Sequence, residues 1–475
     1  VEINTGNTAW LLASSALVLL MTPGLAFFYG GLNRSKGVLN MMLMSFSCIG
    51  LVSVLWLVYG FSLAFGTNDN ASVNDFIGSF TQYLGNKTFV EELWLGADAE
   101  GNAITGIPTY VVLAFQMMFA IITVALISGA ISDRAKFGGW LLFAAGWFTL
   151  VYVPVAHWIW GGGFIFSDIH ALDFAGGTAV HINAGAAALA LALILGRRIG
   201  WPRDSFKPHN VPFVALGAGL LWFGWFGFNA GSEITTDGVT AIAFVNTQVA
   251  TAAALMGWIV VEWLRDGKPT LVGASSGAVA GLVAITPCCG FIEPWAAVLV
   301  GLVAGAVCAL AVSIKYRLGY DDSLDVVAVH FVGGWIGSLS IGLFASTAAN
   351  SLIVDTLGAS EGLFSGGGGT QLGRQALASG IVSIYSFGIA LGIGLLIKYT
   401  VGFRAKADAE VDGIDVAEHA ETAYDFSPAS GGGRAASGGA FALAGIGAQA
   451  APPVPDGQEH APEKSTEKST EKVAG

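Results

Sequence analysis

Two histidines set in apolar sequence are the residues best placed to do chemistry. His181 lies in D-F-A-G-G-T-A-V-H-I-N-A-G (173–185) and His330 in V-H-F-V-G-G (329–334). An ionisable side chain at the centre of a membrane span costs about 2.5–3.5 kcal/mol or more, so its presence there points to function. A lone buried histidine is more often a satisfied core residue. Here each follows a valine and is followed at the third and fourth places by small residues, Ala184 and Gly185 in one case and Gly333 and Gly334 in the other. That repetition points to one shared site. Paired imidazoles can line a narrow path and offer a small polar molecule a hydrogen-bond donor or acceptor. A metal would need three or four convergent ligands, and no H-E-x-x-H or similar cluster occurs in any apolar segment, so no metal is expected. His157, His170, His209, His419 and His460 have no such counterpart.

Aromatic residues gather near the ends of the same segments: Trp158 and Trp160 before three glycines at 161–163, Phe115 and Phe119 in A-F-Q-M-M-F, and Trp225 and Phe228 in G-W-F-G-F-N-A-G-S, where Ser232 follows Phe228 by four residues. Interface anchoring is the ordinary reading for tryptophan at that depth. Rings around a hydroxyl acceptor suit instead a small hydrogen-bonding cation, at roughly 2 kcal/mol or more per desolvated cation–π contact. Asp173 stands just before a helix start, where capping outweighs ligand contact, and Asp325 invites the same reading. Away from their ends the apolar segments contain no acid. A cation crossing them would meet the intramembrane penalty without a counter-charge, whereas its neutral form would not.

These side chains must be positioned by membrane helices. The chain has 475 residues, of which 54% are hydrophobic and 11% charged, more apolar than a soluble domain can bury. Windows of about 20 apolar residues, the length that crosses the hydrocarbon core, fall near 8–30, 38–66, 107–131, 138–161, 176–196, 211–231, 238–264, 270–288, 293–316, 325–348 and 375–399. The expectation is an all-α polytopic membrane protein of eleven spans, the first a true span and not a signal peptide. Sixty-six glycines suit helices that pack closely in lipid. Cys48, Cys288, Cys289 and Cys308 show no zinc or disulfide spacing and read as packing residues. The net charge of −12, without basic runs, gives no reason to expect a nucleic-acid partner.

Alternate loops carry fifteen lysines and arginines (Arg34, Lys36, Arg134, Lys136, Arg197, Arg198, Arg203, Lys207, Arg265, Lys268, Lys315, Arg317, Lys398, Arg404 and Lys406) against Lys87 and Arg374 in the opposite set. The first set is expected in the cytoplasm, with the N-terminus outside and the C-terminus inside. Spans one to five and six to ten read as an inverted 5+5 repeat with one extra helix, the histidines opening spans five and ten. His181 would then lie near the outer end of its helix and His330 near the inner end of its own, so they meet only if both helices begin recessed. Residues 1–400 are expected to form the membrane domain and 401–426 a charged cytosolic segment. The tail at 427–475, ending in Glu-Lys-Ser-Thr repeats, cannot bury a core and is expected to be disordered.

At D-F-A-G-G-T-A-V-H-I-N-A, A-H-W-I-W-G-G-G (156–163), F-K-P-H-N (206–210), W-F-G-F-N-A-G-S (225–232) and V-V-A-V-H (326–330) the chain resembles the ammonium transporter family, the Amt/Mep/Rh group, and within it the bacterial and archaeal Amt branch. The likeness runs from about residue 4 to 424. It implies eleven helices around a pore in each monomer, a homotrimer in the cytoplasmic membrane, and ammonium, with methylammonium as an analogue, as the transported species. It also implies that Trp160, Phe119 and Ser232 form an outer recruitment site with Trp225 nearby, and that Phe115 or Phe119 stacks with Phe228 as a gate beside Gln116. His181 and His330 would be twin pore histidines, and Asp173 a support for the outer site that does not bind the ion. Asp412, Gly413, Ile414, Asp415 and A-E-H-A-E-T-A-Y (417–424) resemble the cytosolic segment that couples monomers and meets a PII-type regulator. No cofactor is implied. A membrane enzyme using the histidines as acid and base would need a nucleophile or metal constellation that the chain lacks. The alternatives are an ammonium sensor of the same fold or a channel for a neutral gas as in the Rh branch.

Overall fold

The structure, a computed structural model, describes residues 2–85, 87–90, 92–94 and 106–424; the tail that begins at Ser427 lies outside the described residues. The described residues are mostly helical because a backbone crossing lipid must satisfy its own N–H and C=O groups. In order the long helices are α1 (Thr5–Leu32), α2 (Val38–Phe65), α3 (Thr109–Ile131), α4 (Phe137–Ile169, broken at 161–163), α5 (Gly177–Leu195), α6 (Val211–Glu233), α7 (Gly238–Asp266), α8 (Leu271–Ile285), α9 (Pro294–Leu318), α10 (Val327–Phe344) and α11 (Thr370–Thr400). The one sheet among the described residues is a two-stranded antiparallel pair, Leu93–Trp94 with Ile107–Pro108.

Ten of these helices are long and apolar enough to cross a membrane. The exception is α8, which at 15 residues is shorter than the 270–288 window. It stops two residues before Pro287, which has no N–H to continue the helical ladder, although Thr286 between them is still in helical geometry (φ −50°, ψ −50°). Starts follow side-chain caps that the sequence spells out: Asn4 accepts from Asn7 N at 3.0 Å, Asn210 from Phe213 N at 3.0 Å and Thr270 from Gly273 N at 2.8 Å. All four cysteines are buried and free, consistent with packing roles.

Equivalent helices of the two halves meet. Helix α1 packs along α6, and α5 crosses α10. The second crossing is reciprocal: a Cβ on Gly185, four residues after His181, would lie 2.6 Å from the backbone N of Phe331, the residue after His330. A Cβ on Gly334, four residues after His330, would lie 2.9 Å from the Ile182 side chain, the residue after His181. The small residues are what lets the two histidine helices touch. Both helices also begin buried, as wide π-type turns over Gly177–Ile182 and Val327–Val332.

Loops gather a network of charge at the end of the bundle away from Trp160. Arg34 pairs with Asp133 at 2.8 Å, and Arg198, itself 3.5 Å from Asp133, pairs with the fully buried Asp321 at 2.9 Å. The C-terminal segment folds onto this face as α12 (Ala407–Asp412) and α13 (Ile414–His419). Helices α2 and α4 begin without side-chain caps of their own. Asp415 supplies one, accepting from Leu39 N at 3.0 Å and Asn40 N at 2.8 Å, and Glu418 accepts from Phe137 N at 3.1 Å. Glu410 accepts from Ile199 N at 2.6 Å and from Arg404 at 2.7 Å.

Two expectations follow. Gly185→Ala overpacks the α5–α10 crossing and should cost about 1–3 kcal/mol, whereas Gly388→Ala on α11, with nothing within 4 Å of the added methyl, should be neutral or slightly stabilising; thermal unfolding of the two variants in detergent makes the comparison. For Asp321, burial alone would raise the carboxyl, but the hydrogen bonds and charge of Arg198 hold it below its ordinary value of 3.8. The stabilisation is therefore complete above pH 3.8 and is lost as pH falls through the lower folded value. Asp321→Asn strands the buried Arg198 and should cost about 3–5 kcal/mol at neutral pH, with the difference from wild type shrinking below pH 3.8 in the same melting assay.

Candidate functional site: a ring-lined vestibule above a twin-histidine lumen

Asp173 organises the vestibule. Its Oδ1 accepts from the amides of Gly176 and Gly177 at 2.8 and 2.7 Å, and its Oδ2 from Thr178 and Ala179 at 2.8 and 3.0 Å. One carboxylate thus takes four donors at the start of α5, which the helix cannot satisfy itself. With both oxygens committed, Asp173 is a scaffold, in keeping with the capping expectation. Its main-chain oxygen accepts from Trp160 Nε1 at 2.9 Å and fixes that indole.

Trp160, Phe119, Gln116, Ser232 and Asp173 all line one cavity of about 320 Å³. Trp160 meets Phe119 edge to face, with ring centroids 6.1 Å apart and planes at 88°. Ser232 donates its hydroxyl proton to Phe228 O at 2.8 Å, leaving the oxygen's lone pairs free to accept. Gln116 Oε1 is buried without a partner. The cavity therefore combines ring faces with acceptor oxygens.

Phe119 closes the floor by stacking on Phe228, with centroids 4.1 Å apart and planes at 23°. Phe115 lies behind it at 4.9 Å, fully buried and away from the cavity wall. Of the two phenylalanines considered for the stack, the structure pairs Phe119 with Phe228. Trp225 lies on the other side of Phe228. Its Nε1 donates to Thr286 Oγ1 at 2.8 Å, and its ring stacks on His181 at 5.4 Å. It thus faces the histidines and does not line the cavity that holds Trp160 and Ser232.

Beyond the phenylalanine pair, His181 and His330 meet through their Nδ1 atoms at 3.2 Å, with ring planes 23° apart. One shared proton makes one Nδ1 a donor and the other an acceptor. Two neutral rings so joined carry a proton on one Nε2 and a lone pair on the other. The pair therefore offers one donor and one acceptor. His181 Nε2 is buried with no protein partner. The histidines share a narrow space of about 10 Å³ with Trp225, Phe228, Leu25, Leu126, Leu221 and other apolar groups, near the roughly 10–15 Å³ that one water needs. No carboxylate among the described residues lines it. His157 differs, both of its ring nitrogens resting on carbonyls, those of Ala64 at 2.8 Å and Asn74 at 2.5 Å.

The start of α10 corrects the assignment of Asp325. The helix-start acceptor is Asp322, whose Oδ2 takes the Val327 amide at 2.7 Å, while Asp325 pairs with Lys315 at 2.6 Å. Asp322 precedes His330 by eight residues, as Asp173 precedes His181. That equal spacing was the available signal. A second residue escaped the sequence reading: Glu233, two places after the expected end of span six at 231 and one after Ser232, lies within the helical run of α6 and lines the vestibule.

Residues 9–424 match the family model described as Ammonium Transporter Family. An ammonium transporter of Mycobacterium tuberculosis is 56% identical over 441 residues, covering 90% of this chain and 91% of that protein. One from Bacillus subtilis is 44% identical over 423 residues, covering 89% and 99%. Among solved structures, Candida albicans Mep2 superposes with a TM-score of 0.76 at 33% identity, covering 86% of this chain and 88% of that one. A protein titled Sensor Amt Protein superposes with a TM-score of 0.77 at 28% identity, covering 87% and 98%. On its sequence match, its helical membrane fold and its relatives, the chain belongs to the ammonium transporter family.

Proposed function

We propose that this protein recruits ammonium at the vestibule of Trp160, Phe119 and Ser232, that an N–H bond of the ion breaks at the Phe119–Phe228 pair, and that neutral ammonia passes along His181 and His330 while the released proton follows a histidine or water route. The observation that carries this reading is the stacked phenylalanine pair, with a ring-and-acceptor cavity on one side and a carboxylate-free lumen on the other. A cation gains from ring faces while partly hydrated. In the lumen it would have no counter-charge. Ammonia, with N–H donors and one lone pair, fits a pair of imidazoles that offers one acceptor and one donor. A hydrated metal ion cannot shed a proton to become neutral, so the same lumen refuses it.

In this reading the vestibule opens outside the cytoplasmic membrane, the N-terminus is outside, and the C-terminal segment lies in the cytoplasm, as the lysine and arginine distribution supports. The functional unit is a homotrimer with a pore in each monomer, and a PII-type regulator meets the face that carries 401–424. The N–H bond broken at entry re-forms when ammonia is reprotonated on the far side, so ammonium is released chemically unchanged and the protein is not an enzyme. A sensor reading is kept because a structural neighbour carries that title.

Proteoliposomes with an ammonium or potassium gradient test the mechanism. Wild type should carry ammonium and exclude potassium; no ammonium flux would favour the sensor reading. Phe228→Ala and Trp160→Ala should each raise the half-saturating methylammonium concentration at least about tenfold, equivalent to ~1.4 kcal/mol of recruitment, and unchanged saturation in both would remove the cage. His181→Asp or His330→Glu places a counter-charge in the lumen and should admit potassium. Carboxylate variants that stay potassium-tight while conducting ammonium normally would rule out the histidines as the filter.

A further inference from the structure

Glu233 is an acid that the mechanism above does not use. It ends the single turn Gly231–Glu233 at the close of α6 and lines the same 320 Å³ cavity as Trp160, Phe119 and Ser232. Asp173 is the other acid on that cavity, and four backbone amides occupy both of its oxygens. Asp237, four residues on, is committed to capping α7 through the amides of Val239 and Thr240 at 2.8 and 3.0 Å. Glu233 makes no hydrogen bond or ion pair with any described residue. No lysine or arginine among the described residues lines the cavity to neutralise it.

The backbone holds this carboxylate in place. Ile234, the next residue, adopts φ 66° and ψ −32°, in a region that β-branched residues rarely enter. Its amide donates to Gly231 O at 2.9 Å, and two residues on, Thr236 is tied to Asn7 of α1 through its amide at 3.0 Å and its hydroxyl at 2.7 Å. Strain of this kind persists where the surroundings over-determine it, and it clusters at binding and catalytic sites.

We propose that Glu233 is a cation-attracting subsite of the vestibule, which draws a small monovalent N–H cation such as ammonium or methylammonium to the Trp160 and Phe119 rings before it reaches the phenylalanine pair. The proposal rests on the reading of this cavity as the ammonium entrance. The rings and the oxygens of Ser232 and Gln116 recognise a cation at contact range, but they are uncharged. In its ionised form Glu233 adds a field that acts over a Debye length and weakens as salt rises. Because it stands on the vestibule side of Phe119, it can gather cations without supplying a counter-charge to the lumen, so recruitment and refusal remain separate.

The test uses the full chain in liposomes, with Glu233→Gln as a near-isosteric neutral variant and Trp160→Leu as the control for the entrance itself. At low ionic strength Glu233→Gln should raise half-saturating ammonium about tenfold, ~1.4 kcal/mol, and leave maximal flux near wild type. Raising the ionic strength should weaken wild-type recruitment and leave Glu233→Gln largely unchanged. Half-saturation and salt response both equal to wild type, with Trp160→Leu impaired, would overturn the role of Glu233 alone. If Trp160→Leu is also unaffected, the entrance reading fails with it. Should Glu233→Gln not reconstitute, the salt response of wild type decides: half-saturation indifferent to ionic strength overturns the subsite.

Discussion

The Nδ1-to-Nδ1 contact between His181 and His330 is the constraint on which the rest of the architecture depends. Imidazoles are short, so two helices must approach almost backbone to backbone for the rings to touch. That requirement explains Gly185 and Gly334, each seated against the residue after the opposite histidine. It also explains the buried starts of α5 and α10, because a histidine four or five residues into a helix reaches the interior only if the helix begins there. Buried helix starts expose amide donors that lipid cannot satisfy. Asp173 meets that need for α5 and Asp322 contributes to it for α10. Carboxylates, glycines and histidines are thus parts of one solution.

Charge is distributed by the same logic. Apart from Glu233, the buried acids Asp133, Asp173, Asp321, Asp322, Glu410 and Asp415 are bound to amides or cations, and no acid among the described residues borders the space around the imidazoles. Glu233 has free oxygens and stands on the vestibule side of Phe119. Phe119 and Phe228 therefore divide an environment that tolerates positive charge from one that does not. At the far end Arg34, Arg198 and Arg404 pair with the buried acids Asp133, Asp321 and Glu410, which ties the loops together.

Much of this was legible in the residues because the strongest constraints leave strict patterns. Apolar length marks spans, two histidines with matched small residues mark a crossing, and D-F-A-G-G-T places a carboxylate before a buried helix start. What escaped depends on distances along the fold. Asp325 stood closer to the expected start of α10 than Asp322, and only the eight-residue spacing shared with Asp173 could have separated them. Trp225 is three residues from Phe228 on one helical face, and sequence cannot say which of the two a cavity reaches first. Glu233 lay just outside an apolar window, and a window cannot show that the helix turns once more and presents its next side chain inward. The count of eleven crossings met the same limit at α8, where Pro287 ends the helix before its apolar run ends.

The caps that the C-terminal segment lends to α2 and α4 have a thermodynamic consequence. A helix start that loses its acceptor gives up about 0.5–2 kcal/mol, and Asp415 and Glu418 serve two starts at once. Peeling the segment away would uncap both helices together, so the cost of detaching it includes both caps, at the first turns of helices that pack in the bundle. The segment is thus energetically part of the membrane bundle, although it runs outside it.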